Sequence, residues 1–225
     1  ASARRLLAAL SERDGVICFD EFAPLFAGHI VHRLGASGDK LAQSQHVFDA
    51  LRTFDATDVP AIWAQCPDSA GLGLAVGNRL KKAAGFHTEE ADGAFVLGIT
   101  GGTGAGKTTL LRALEKRGAL VLDCDAVYHE MLRTDAPLRA DLTAAFGDAF
   151  APDGGLDRQK LGNIVFGDAG ALAQLDAIIF RHLPRALARR MEESGARLIA
   201  LDAIKLVESG LGAICDVTVA VTAPE

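Results

Sequence analysis

The 225-residue sequence is 49% hydrophobic and carries 29 acidic against 23 basic side chains, a net charge of -6 at neutral pH. That length and apolar content exclude a disordered chain and suffice for two small domains. The acidic balance leaves no electrostatic footprint for nucleic acid, no apolar run approaches a membrane span, and no signal peptide opens the chain. A soluble, cytoplasmic protein that grips anionic ligands at a local site is expected. Cys18, Cys66, Cys124 and Cys215 form no CxxC pair and no metal spacing, and read as buried thiols in a reducing cytoplasm. Both ends read as cut: the chain opens on Ala1 already in a helical pattern (Leu6, Leu7, Leu10) and stops at Glu225 just after a strand-like run.

Residues 1–86 make an α/β pattern. A helix over about 2–12 leads through Asp14-Gly15 into the β-like run Val16-Ile17-Cys18-Phe19. A loop follows, then a helix near 42–54, a strand at 59–63 and a helix over about 74–84. Gly71, Gly73 and Gly77 superficially suggest a nucleotide loop. With no acidic ribose partner downstream, a tight turn into the helix is the favoured reading. Residues 87–93, with Thr88, Glu89, Glu90 and Asp92, are polar and aperiodic and are taken as a linker.

The second part, 94–225, opens with an apolar run, Phe95 to Ile99, suited to a strand buried on both faces of a parallel sheet. The stretch GITGGTGAGKTTL follows, and from Lys107 the pattern turns helical, with Leu110, Leu111 and Leu114 on one face and Gly118 placed as the cap. Gly101, Gly106, Lys107 and Thr108 fit the Walker A spacing in its required strand, loop, helix context. Backbone N–H groups of such a loop turn inward on phosphate, Lys107 reaches the β- and γ-phosphates, and the Thr108 hydroxyl holds Mg²⁺. An ordinary glycine turn is the plainer alternative. A dinucleotide fingerprint fits poorly, because Lys107 stands where its third glycine belongs.

A second strand is expected over 119–122, helices over 126–132, 138–146, 157–166 and about 171–193, and further strands at 198–201 and 217–221. That alternation predicts parallel strands with right-handed crossovers and a helical insertion over the substrate. Asp123 and Asp125 end the second strand, and residues two apart on a strand share a side, so both carboxylates can face the crevice beside the phosphate loop. One can accept the proton of an attacking hydroxyl. An N-cap role for Asp125 stands equally with that reading. Asp202 closes the third strand, where it either holds a Mg²⁺-bound water or caps the next turn. Glu208 reads as a solvated residue ahead of a substrate-facing one, and Lys205 has no arguable role.

Two resemblances rest on these residues. The run AQSQHVFDALRTFDATDVPAIWAQCPDSAGLGLAVGNRLKKAA resembles the end of the C-terminal domain of two-domain threonylcarbamoyl-adenylate synthases, which implies a small Rossmann-like accessory domain without the transferase chemistry. The phosphate loop, GALVLDCDAVYHEML, Phe146-Gly147, DGGLDRQKLGNIVF and the acidic-ended strand with Leu206, Glu208, Ser209 and Gly210 resemble the dephospho-coenzyme A kinases. The final strand, with Val219, Val221, Ala223 and Pro224, extends that match. The likeness implies a P-loop NTPase-type sheet that transfers the γ-phosphoryl of ATP, with Mg²⁺, to the ribose 3′-hydroxyl of dephospho-coenzyme A. It implies Asp125 as base with Lys107, a nucleotide site of Gly102, Thr103, Gly104, Ala105, Gly106, Lys107, Thr108 and Thr109, and His129 and Arg158 on the acceptor side with Asp125. Thr108 and Asp202 would serve the metal. The family's His-Pro reads Phe180-Arg181 here, with His182 displaced by two, and its proline-leucine reads Ile204-Lys205. Its lid helix and last strand would lie beyond Glu225. A regulatory nucleotide-binding module, or a kinase for another nucleoside or nucleotide, is the competing reading.

Overall fold

The structure is a computed structural model that describes residues 2–91, 93–150 and 155–223, apart from the side chain of residue 148. Asp92, residues 153–154 of the expected 153–166 motif, and Pro224 with Glu225 lie outside the described residues. The chain divides into two compact units, Ala1–Ala94 with Ala188–Gly195, and Phe95–Leu187 with Ala196–Glu225.

In the first unit, helix α1 (Ser2–Ala9) precedes strands β1 (Gly15–Cys18) and β2 (Ile30–Arg33), helix α2 (Lys40–Thr53), strand β3 (Ile62–Ala64) and helix α3 (Leu72–Ala83). The three strands pair in parallel in the order β2-β1-β3. β1 is central, and all four of its residues are buried. Ile17, Leu34, Val47, Ala50, Phe54, Val76 and Leu80 close one core between sheet and helices, which is the burial that holds so small a sheet together. β2 corrects the sequence reading, which gives only a loop there. Its four residues include His32 and Arg33 and are half-buried to exposed, so no apolar run marks it. Gly71, at φ +51°, precedes α3, and a Cβ on Gly73 would sit 2.4 Å from the carbonyl oxygen of Asp68. These glycines serve a tight turn into a helix.

The second unit runs β4 (Phe95–Thr100), α4 (Lys107–Glu115), β5 (Leu120–Asp123), α5 (Cys124–Thr134), α6 (Ala136–Phe146), α7 (Arg158–Gly167), α8 (Ala169–Ser194, whose residues from Ala188 on belong to the first unit), β6 (Leu198–Asp202) and β7 (Val217–Ala220). All pairings are parallel, in the order β5-β6-β4-β7. Val96, Ile99, Ile199 and Leu201 are fully buried, each contributing roughly 1.5–3 kcal/mol of apolar transfer. Gly118, at φ +86°, ends α4 with Gly118 N donating to Glu115 O at 2.9 Å and Ala119 N to Leu114 O at 3.1 Å, the paired bonds of a glycine-terminated helix. β4 hands the chain to β5 across β6, whereas β6 hands it to β7 on the other side of β4. The strand order therefore reverses at the carboxyl end of β4, and a crevice opens there.

Candidate functional site

The loop after β4 is shaped by three glycines in the left-handed region: Gly101 at φ +145°, Gly104 at +82° and Gly106 at +100°. A Cβ on Gly101 would lie 2.3 Å from Val221 O, so only glycine passes between β4 and the end of β7. Ala105 N donates to Gly102 O at 3.2 Å and Thr109 N to Gly106 O at 3.0 Å. The amides of Gly104, Gly106, Lys107 and Thr108 donate to nothing among the described residues. A helix leaves its first amides unbonded, and the nine-residue α4 aims these, with its positive end, at the space over the loop.

Lys107 bends back over the loop, and its Nζ donates to Asp202 Oδ1 at 2.9 Å, with the two side chains only 14% and 20% exposed. Strand register explains the meeting: Asp202 is the last residue of β6, beside Ile99 of β4 on one side and Asp123 of β5 on the other. No amide of the following turn donates to Asp202 among the described residues, so the capping alternative is set aside. The segment after β6 is tied to β4 by Thr100 Oγ1, which donates to Ile204 O at 2.7 Å.

Asp123 and Asp125 differ from the sequence reading. β5 ends at Asp123 and α5 begins at Cys124, so the alternation of a strand does not relate the two carboxylates. Asp123 is the N-cap: its Oδ1 accepts from Asp125 N at 2.8 Å and from Ala126 N at 3.2 Å. The cap role thus falls to Asp123, and Asp125 stands exposed on the first turn, its carboxylate making no hydrogen bond or ion pair to any described residue. Between them Cys124 is buried, and its thiol is pushed well above the ordinary range by that burial and then by the charges of Asp123 and Asp125. It is a neutral packing group.

His129 lies exposed on the same helix, its ring 5.8 Å from that of Tyr128. Arg158 is exposed at the start of α7, behind the Asp157 cap. Tyr128, unremarked in the sequence, is half-buried, and its hydroxyl is raised by burial, against which the Arg158 guanidinium acts. Lys205, without a role from sequence, pairs with Asp176 at 3.3 Å. Glu208 is exposed. The departing residues Arg181 and His182 both meet Asp141 Oδ2, at 3.1 and 2.8 Å. These pairs join residues 29 to 41 positions apart, and only the fold brings them together.

A parallel sheet with a glycine loop at its switch point, an inward lysine and an acidic strand end beside it defines a P-loop fold. The sequence model described as CoaE, dephospho-CoA kinase, matches residues 95–225, and the chain belongs to that family. Residues 3–85 match the model of the threonylcarbamoyl-AMP synthase C-terminal domain. Among curated relatives, the dephospho-CoA kinase of Streptomyces avermitilis is 42% identical over 130 residues, covering 56% of this chain and 63% of its own. That of Thermobifida fusca is 38% identical, covering 57% of this chain and 65% of its own. The crystal structure of TT1252 from Thermus thermophilus matches with a TM-score of 0.51 at 31% identity, over 58% of this chain and 66% of that one. The chain therefore spans a little under two thirds of the relatives it matches.

Proposed function

We propose that this protein transfers the γ-phosphoryl group of ATP to the ribose 3′-hydroxyl of dephospho-coenzyme A, giving coenzyme A and ADP. The observation that carries the reading is the Lys107–Asp202 pair at the mouth of the sheet, beside amides with no internal partner. Phosphate oxygens suit both: the amides donate to them, and Lys107 exchanges the Asp202 carboxylate for the triphosphate. Gly102 to Thr109 make up this cradle, with the Thr109 amide already spent on Gly106.

The 3′-oxygen attacks the γ-phosphorus as the bond to the β,γ-bridging oxygen breaks, and the hydroxyl proton passes to the Asp125 carboxylate. Asp125 suits that role because it is exposed at the head of α5 while Asp123 saturates the amides there. Most of the barrier lowering comes from position and charge. His129 and Arg158, exposed on α5 and α7, serve the acceptor side, Arg158 as a cation for its phosphates.

Among the described residues no group of three or more His, Cys, Asp or Glu forms a metal cluster. Magnesium needs none, since it keeps several waters and takes one or two protein oxygens besides phosphate. The exposed hydroxyl of Thr108 and the carboxylate of Asp202 are hard oxygen donors of the fitting kind, and these would hold it. When bound, the ion neutralises charge on the β- and γ-phosphates. We assign the accessory role to residues 1–86, the linker to 87–93 and the kinase role to 94–225. The four cysteines are free thiols and no helix among the described residues can cross a membrane, which supports a place in the cytoplasm.

An acceptor panel tests the substrate. With labelled ATP, label is expected on dephospho-coenzyme A in preference to uridine or a nucleoside monophosphate. Preference for either of the latter moves the protein to another class of kinase. ATP binding without transfer to any acceptor favours a regulatory module.

A further inference from the structure

The first unit holds a cavity of about 650 Å³ along the outer side of β3, inside the range that encloses small organic ligands. Its walls come from α1, from α3 and from the segment after it, through Leu6, Leu80, Ala84 and His87. β3 is an edge strand. Gly15 N donates to Ala61 O and Gln65 N to Ile17 O, both at 2.9 Å. Odd-numbered residues of β3 therefore face β1, and the N–H and C=O groups of Ile62 and Ala64 face the cavity side.

Two side chains give this apolar space a chemical preference. The Trp63 indole is fixed, its Nε1 donating to Asp14 Oδ2 at 3.1 Å, and its ring contributes a flat apolar wall. Lys81 is half-buried, and its ammonium makes no ion pair or hydrogen bond among the described residues. The neighbouring cation Arg5 is already engaged by Glu89 and Glu192. One uncommitted ammonium beside apolar walls and free strand-edge groups calls for a ligand with an apolar body and one acidic group.

We propose that this cavity is a binding site for a small amphipathic organic anion, seated on β3 with its acidic group on Lys81. The site is separate from the phosphate loop and does not depend on the kinase reading.

The probe is 1-anilinonaphthalene-8-sulfonate, titrated into the full chain without nucleotide. Trp63 is the chain's only tryptophan, so its quenching with energy transfer to the probe reports occupancy of this cavity. Saturable transfer is expected, weakened about tenfold or more, roughly the loss of one charge-assisted contact, in Lys81→Glu, and lost in Ala84→Phe, which fills the space. Cys66 is exposed and lines the cavity, so saturating probe should slow its alkylation by iodoacetamide in the unmutated protein, a readout that needs no variant to fold. Probe binding without Trp63 quenching, equal affinity in folded Lys81→Glu, or an unchanged Cys66 alkylation rate overturns the proposal.

Discussion

Lys107 Nζ lies 2.9 Å from Asp202 Oδ1, an ion pair joining the first turn of α4 to the last residue of β6. Both side chains are largely buried, and removing one partner of such a pair leaves the other charge uncompensated. On the proposed function, the carboxylate occupies the lysine until a triphosphate replaces it. Asp202→Asn is therefore expected to keep or tighten ATP binding measured without Mg²⁺, because the competitor is gone. Turnover with Mg²⁺ should fall roughly 10²-fold with the loss of the acidic ligand. Lys107→Ala should lose both, and calorimetric titration with and without the metal separates the two variants.

Asp123 anchors the turn that carries Asp125. Replacing Asp123 by Ala removes the acceptor for two amides of α5 and should cost about 0.5–2 kcal/mol of stability. Turnover should drop as well, because the first turn of α5 frays and Asp125 with it. Thermal unfolding reads the first effect and single-turnover kinetics the second. Asp123→Asn, which keeps a capping acceptor, should restore much of both.

What the sequence disclosed follows range. The phosphate loop was legible because its requirements are local: positive φ at Gly101, Gly104 and Gly106 and a lysine at the head of a helix. The buried strands β4 and β6 were legible from their apolar runs. The Lys107–Asp202 pair was not, since its partners stand 95 positions apart and strand order alone brings them together. β2 escaped because an edge strand of four half-exposed residues carries no hydrophobic pattern. The sequence leaves a cap role for Asp125 level with a catalytic one, whereas the helix starts at Cys124, two residues before the expected Ala126, with Asp123 as its cap, and boundaries of that kind depend on backbone geometry that composition does not encode.

Cys18 gives the stability a pH dependence. Burial, against the Arg33 charge, pushes its thiol from an ordinary value near 9 up to about 12. The unfolded thiol ionises first as pH rises, so between those values the unfolded state binds fewer protons than the folded one and is increasingly favoured. The contribution is complete below about pH 9 and is lost progressively toward about pH 12. Urea midpoints taken at about pH 8 and about pH 10 should fall across that interval, and less steeply in Cys18→Ala. An identical slope in the variant would place the titration elsewhere.

The proton-accepting role of Asp125 is measured most directly by transfer of labelled phosphate from ATP to dephospho-coenzyme A by the unmutated protein and by Asp125→Asn, with the ATP dissociation constant determined on the same samples. The expected result is a fall in kcat of roughly 10² to 10⁴ with ATP affinity hardly changed, because the carboxylate takes a proton in the transition state and does not hold the nucleotide. Equal turnover by the two proteins would contradict it.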